Sequence, residues 1–308
     1  MNAVWSFWSK PYLQARKKIW HSEKQHYLSW ILSLQQARKF FPKTLLFTDD
    51  YGADLLVESL GLEFDEVSTS LNELHDHDSK WWALGKIYTY ASQKEPFIHI
   101  DNDVFLWKPL PVHKDVALFA QNPEYFEIGA SFYMPEQIES LVDRYDGWLP
   151  EEWNWFRSSD LSQRAECCGV FGGNYTEFIN YYAKLAIEMI VNPANSHVWK
   201  VLGDNVERNI LVEQYLLSAC IEYCKSVQDE RFSNLDIHYL FNSMDDAFNP
   251  RKAADAGYTH LIADTKKNKD LAKDLESRVK QDYPEAYEQC LRYIERKKKQ
   301  SNAEAPIG

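Results

Sequence analysis

Short apolar runs, each closed by a turn-forming or acidic residue, alternate along this chain with longer stretches of helical spacing, and this alternation restricts the possible folds most. The first run, Val4-Trp-Ser-Phe-Trp8, is aromatic and β-prone, and apolar residues then recur at helical spacing from about Tyr12 to Phe41. A second run, Lys43-Thr-Leu-Leu-Phe-Thr48, stops at Asp49-Asp50-Tyr51-Gly52, and a helix from Ala53 to about Leu60 follows. Glu63-Phe-Asp-Glu-Val67 reads as a weaker third strand. Ser79 suits the N-cap of a helix over residues 81–91. Phe97-Ile-His-Ile100 is a strand ending at an acidic pair, and Val116-Ala-Leu-Phe-Ala120 is another buried strand. Gly169-Val-Phe-Gly-Gly-Asn174 ends a short strand and opens a helix from Tyr175 to about Ile190. Such alternation predicts an α/β fold with a mostly parallel central sheet flanked by helices. Residues 145–156, aromatic, acidic and broken by Gly147 and Pro150, read as an ordered surface loop; further helices are expected over 209–224 and 271–299.

With 308 residues, 45% of them apolar, the chain can bury the core of one large α/β domain or two small ones. A formal charge of -12, from 46 acidic and 34 basic residues, argues against a nucleic-acid-binding surface, which needs clustered Lys and Arg. The first ten residues lack the long apolar stretch of a signal peptide, and no run of about 18 apolar residues occurs. Five cysteines, two of them adjacent (Cys167 and Cys168), make a poor disulfide framework and fit a reduced compartment. The expectation is a soluble cytoplasmic protein without a transmembrane segment. Lys297-Lys-Lys299 could touch an anionic membrane, although a solvated helix end is the better reading.

In open α/β sheets ligands bind beyond the carboxyl ends of the strands. Asp101 and Asp103 stand there in Ile98-His-Ile-Asp-Asn-Asp-Val-Phe-Leu106. In strand geometry residues i and i+2 share a side, so both carboxylates can meet one hard divalent ion, Mn²⁺ or Mg²⁺, able to bridge a diphosphate. A bare Asp-x-Asp also arises in solvated turns, so its surroundings must single it out. Here they are a preceding helix with Lys80 and Lys86, the apolar strand, and then Val104-Phe-Leu-Trp-Lys-Pro-Leu110.

On these residues the sequence resembles the GT-A glycosyltransferases, especially the glycogenin-like (family 8) and mannosyltransferase-like (family 32) groups. Later segments follow in the same order. Cys168-Gly-Val-Phe-Gly-Gly-Asn174 is similar to the strand that approaches the donor sugar, and Glu213-Gln214 to an Asp-Gln pair on a helix. His260-Leu-Ile-Ala-Asp-Thr-Lys266 is similar to a His-x-x-Gly-x-x-Lys signature, with Ala263 in the place of Gly and Lys267 in that of a usual Pro. The resemblance implies a GT-A domain over residues 1–270, a helix over 271–300 packed on it, and a flexible tail over 301–308. It implies a hexosyltransferase-type enzyme moving a sugar from a nucleotide-sugar, most often a UDP-sugar, to a glycan, lipid-linked or protein hydroxyl acceptor. His260 would join Asp101 and Asp103 on the metal, and Lys266 would grip the diphosphate. Trp5, Ser6, Ser9, Thr48 and Asp49 would frame base and ribose. Asn102, Gly172, Gly173 and Gln214 would complete the donor site.

Several of these residues have a plain reading too. Lys80, placed near the phosphates or donor sugar, reads equally as a solvated first-turn charge, and Asp49 as a turn residue before Gly52. An inverting enzyme needs a carboxylate base, for which Glu213, Asp204 and Glu166 are candidates and Glu213 is preferred; the glycogenin-like resemblance implies retention, which needs none. His75-Asp-His-Asp78 has metal-ligand residue types but reads as a solvated loop, and Cys220 and Cys224 as buried thiols. Two other functions compete: a nucleotidyltransferase, which wants a Gly-rich basic loop where Lys10-Pro-Tyr-Leu13 stands, and a binding protein without turnover.

Overall fold

The computed structural model describes residues 1–303 apart from residues 114, 130–131, 204–205 and 233–234. Among the described residues nine strands form, β1 (Asn2–Phe7), β2 (Thr44–Thr48), β3 (Glu66–Ser68), β4 (Phe97–Ile100), β5 (Val104–Leu106), β6 (Leu118–Tyr125), β7 (Arg164–Gly173), β8 (Ile237–Tyr239) and β9 (Tyr258–His260). Seven of them make one sheet in the order β3-β2-β1-β4-β7-β6-β8, while β5 and β9 pair separately. The β1–β2, β1–β4, β2–β3 and β6–β8 pairs are parallel; β7 runs antiparallel to both its neighbours, β4 and β6. The fold is therefore α/β with a mostly parallel central sheet flanked by helices, compatible with a Rossmann-like arrangement.

The sheet separates two apolar cores. Val4, Phe97 and Phe171 face one, against helices Leu84–Ser92, Thr176–Val191 and Leu216–Ser226. Ala3, Trp5, Ile98, Ile100 and Val170 face the other, against Glu23–Ala37 and the C-terminal helices. The assignments alternate residue by residue, as the two-residue period of a strand requires. Every β4 residue is buried, and the central strand is apolar but for His99. All five cysteines are buried free thiols. Among the described residues no helix is long and apolar enough to cross a membrane.

Several elements differ from expectation for local reasons. The stretch from Tyr12 to Phe41 is two helices, Ser9–Ile19 and Glu23–Ala37. Between them the His21 N–H donates to the Lys266 carbonyl at 2.9 Å, so a tertiary contact takes the place of helix continuation. The last helix divides into Lys269–Asp282 and Pro284–Ala303, because proline disfavours helical backbone at the residue before it. The expected loop over 145–156 instead contains the helix Glu151–Ser158, opened by Pro150 and burying Trp153 and Phe156 one turn apart. The helix expected over 81–91 is regular only over Leu84–Ser92. The segment expected as one helix over 209–224 includes a π-helical turn, Leu211–Tyr215. Of the expected tail, residues 304–308 lie outside the described residues.

Candidate functional site

β1, β2 and β4 all end on the same edge of the sheet, and Asp101 follows β4 there. Its N–H donates to the Gly169 carbonyl of β7 at 3.0 Å, and its carbonyl accepts from Val104 N–H at 3.0 Å. The strand has already stopped, so a tight turn over 101–104 brings the carboxylates of Asp101 and Asp103 together, rather than the strand geometry expected from their spacing. The same turn launches β5, whose Val104 pairs with His260 of β9. Asp101, Asp103 and His260 thereby present ligand atoms within 4.8 Å of one another. The His75-Asp-His-Asp78 run forms no such group among the described residues.

The His260 ring is held from behind. Its Nδ1 lies 2.7 Å from Gln121 Oε1, which also accepts from the Tyr258 hydroxyl at 2.6 Å. An amide oxygen there makes Nδ1 the donor and turns Nε2 toward Asp103 Oδ1, 3.5 Å away. Gly169 makes room, since a Cβ on it would come within 2.5 Å of the imidazole.

Two lysines balance the acids. Lys266 pairs with Asp103 Oδ2, and its ammonium lies 5.7 Å from the centre of the Trp20 ring. Lys86, buried in the helix Leu84–Ser92, reaches Asp101 Oδ1 and Glu213 Oε1 at 2.8 Å each and the Cys168 carbonyl at 2.7 Å. Burial works against ionising Lys86, but Asp101 and Glu213 outweigh it and hold the ammonium above its ordinary range. Asp103 is held well below the usual carboxylate range: burial pushes it up, and Lys266 and His260 more than reverse that. Burial pushes Glu213 up, opposed by Lys86.

Asp101, Asn102, Asp103, Lys86 and Lys266 line a cleft of about 510 Å³, walled by Phe7, Trp8, Tyr12, Trp20 and Trp82. Ser6 also lines it, its Oγ 2.9 Å from His99 Nε2, and Lys80 stands exposed at its edge. Asn102 donates to Ser29 Oγ at 3.1 Å. Ser9 and Asp49 instead border a neighbouring cleft of about 760 Å³. There Asp49 Oδ2 accepts from Ser9 N–H at 2.8 Å and Ser9 Oγ at 2.7 Å, and Oδ1 caps Gly52 N–H at 2.8 Å, so its lone pairs serve the backbone turn. Trp5 is fully buried and donates to Ser33 Oγ at 3.0 Å; Thr48 is fully buried and donates to the Phe7 carbonyl at 2.7 Å.

Gly172 and Gly173 are not brought to the site. They pair with Ile98 and Phe97, at the opposite end of β4 from Asp101, where a Cβ on either would strike the Phe97 or Ala117 carbonyl. Gln214 Oε1 accepts from the Tyr133 hydroxyl at 2.8 Å, and Gln214 is not a wall residue of the main cleft. Glu213 is 1% exposed and turned onto Lys86, a position that supports the lysine rather than meeting an acceptor hydroxyl. Glu166 lies buried in an ion pair with Arg164. Asp204 lies outside the described residues.

The parts played by Lys86, Gly169 and Gln121 are not marked by any motif in the sequence. Lys86 carried a usable signal, a lysine on the same helical stripe as the apolar Ala83 and Tyr90, which predicts a buried and therefore paired ammonium. Ala263, in the place of the signature's glycine, has φ +48°, so this position does require left-handed backbone and the alanine bears the strain.

Fold and site together define an α/β protein with a mostly parallel sheet and an Asp-Asp-His cluster of metal-ligand type at its carboxyl edge. Residues 1–293 match a family of unknown function, DUF6734, and the chain belongs to that family. No curated protein matches it.

Proposed function

We propose that this protein is a metal-dependent glycosyltransferase of the GT-A type, moving a hexosyl group from a nucleoside-diphosphate sugar, a UDP-sugar by the resemblance, to a hydroxyl acceptor. The observation that carries the reading is that His260 converges with Asp101 and Asp103 on one point, where both aspartates and Lys266 line one cleft. Two carboxylates and an imidazole whose other nitrogen is committed to Gln121 suit Mn²⁺ or Mg²⁺, and the imidazole tilts the set toward Mn²⁺. Asp101, Asp103 and His260 would hold such an ion, which would supply positive charge toward a departing diphosphate.

The remaining roles belong to the chain. Lys266 meets a phosphate oxygen as a point charge on a flexible stem. Lys86 fixes the Asp101 carboxylate and the Cys168 carbonyl together, so that the metal face is set before ligand arrives. The aromatic walls offer apolar surface beside the charged end of the cleft, against which the donor can pack.

Calorimetry with UDP and Mn²⁺, followed by donor-hydrolysis and transfer assays, tests the reading. The wild type is expected to bind UDP in a Mn²⁺-dependent manner and to turn over a UDP-sugar. Asp103→Ala is expected to lose about 100-fold or more in Mn²⁺ affinity, since removing a ligand exceeds the 10- to 100-fold effect of disturbing its support. Binding without turnover would favour a non-catalytic nucleotide-sugar binder; absence of any Mn²⁺-dependent binding would sink the reading.

A further inference from the structure

Lys266 occupies the position where Asp103 would meet a cation. Asp103 Oδ1 faces His260 Nε2, and the Lys266 ammonium lies directly on Oδ2. Asp101 is occupied as well, both its oxygens lying within 3.0 Å of Lys86 Nζ. The two lysines differ in freedom. Lys86 is locked by Asp101, Glu213 and the Cys168 carbonyl, whereas the Lys266 side chain is 20% exposed, lines the cleft, and has Asp103 as its ion-pair partner.

Charge counting sets what such a site accepts. Three carboxylates, Asp101, Asp103 and Glu213, face the two ammonium groups of Lys86 and Lys266. A divalent cation alone makes this compact site positive while an ammonium already sits on its ligand; a diphosphate alone makes it strongly negative. Added together, a dication and a nucleotide-sugar diphosphate leave its charge unchanged, and in a half-buried site that difference is large.

Building on the metal-diphosphate reading above, we infer that Lys266 is an exchangeable counter-ion. It latches Asp103 while the site is empty and transfers to the diphosphate when that enters, so that cation and diphosphate bind cooperatively. The exchange swaps one ion pair for another and leaves no buried ammonium unpaired. A lysine that only grips phosphate would weaken binding of the cation alone through screened repulsion, whereas a latch also occupies the ligand Asp103 and suppresses that binding further.

Isothermal titration of the full chain with MnCl₂ alone, UDP alone, and each in the presence of the other tests this. In the wild type each ligand is expected to tighten the other by the same factor, on the order of tenfold. Lys266→Met is expected to bind Mn²⁺ alone on the order of tenfold more tightly than wild type and to lose most of the coupling. Lys266→Gln should behave in the same way and serves if the methionine variant does not fold; Lys266→Arg, which keeps a cation on Asp103, should return Mn²⁺ binding to the wild-type level. Lys267→Met removes an adjacent charge that is paired at the surface with Asp264 at 2.6 Å, and should match wild type. If Mn²⁺ and UDP bind together but the neutral variants take Mn²⁺ alone no more tightly than wild type, the latch is overturned and the metal-diphosphate reading stands. If no form of the protein binds either ligand, both fall.

Discussion

Strand β7 serves two clusters of buried charge built from the same kinds of residue in different surroundings. At Cys168 its carbonyl joins Lys86, Asp101 and Glu213, and that cluster opens through Asp101 onto the main cleft. Two residues earlier, fully buried Glu166 accepts from Arg164 Nε and Ser218 Oγ at 2.9 Å each, while Arg164 reaches Glu222 at 2.8 Å. No member of this second cluster lines the main cleft. Burial and paired charge are common to both, so neither marks function. What distinguishes the first is access, together with ligand atoms that converge on a single point. The second ties β7 to the helix Leu216–Ser226, which bears Ser218 and Glu222.

The largest expected effect tests that division. Glu166→Ala leaves a buried guanidinium short of its main partner and should cost about 3–5 kcal/mol of stability, read from the urea midpoint, without changing the Mn²⁺ affinity of the folded protein. A matching loss of Mn²⁺ affinity would show that the two clusters work as one.

His26 sharpens the comparison, because it belongs to the cleft wall by position and to the core by burial. It is 6% exposed, stacks on Tyr12 with ring centres 4.5 Å apart, and neither ring nitrogen has a hydrogen-bond partner among the described residues. Burial, reinforced by the Lys266 charge, lowers its pKa to about 3. The unfolded chain, with a histidine near pKa 6.5, takes up the proton first on acidification. Stability is therefore unaffected above about pH 6.5 and falls as pH drops from there toward 3, by up to about 1.4 kcal/mol per pH unit. His26→Phe should remove this component, narrowing the loss between pH 6.5 and 4.5 by roughly 2–3 kcal/mol in denaturant titrations at each pH. An unchanged acid profile would refute the assignment.

The smallest effect concerns backbone. Ala263→Gly should relieve the left-handed strain before Lys266, offset in part by the greater freedom of glycine in the unfolded chain, for a net gain of about 0.5–1 kcal/mol in thermal unfolding. A loss of stability would mean that the turn is held by contacts of the alanine methyl instead.

Much of the sheet was legible because buried central strands must be mostly apolar, as β1, β2 and β4 are. The direction of a strand was not, since an apolar run reads alike in a parallel or an antiparallel neighbour. The resemblance put Gly172 and Gly173 at the donor sugar; the antiparallel course of β7 puts Gly169 at the ligand edge instead. Asp49, Thr48 and Trp5 were found at strand ends, yet the sequence does not say whether a polar side chain faces a ligand or its own backbone.

Composition, periodicity and the Asp-Asn-Asp segment by themselves determined an α/β chain with an acidic pair at a strand end, because these depend on neighbours along the chain. The tertiary structure alone decided what surrounds that pair. The β5–β9 pairing sets His260 beside Asp103, and the helix Leu84–Ser92 with the π-helical turn Leu211–Tyr215 encloses Lys86 between Asp101 and Glu213. Those contacts join residues far apart in sequence, and their energies come from the burial and pairing of charge, which no local pattern records.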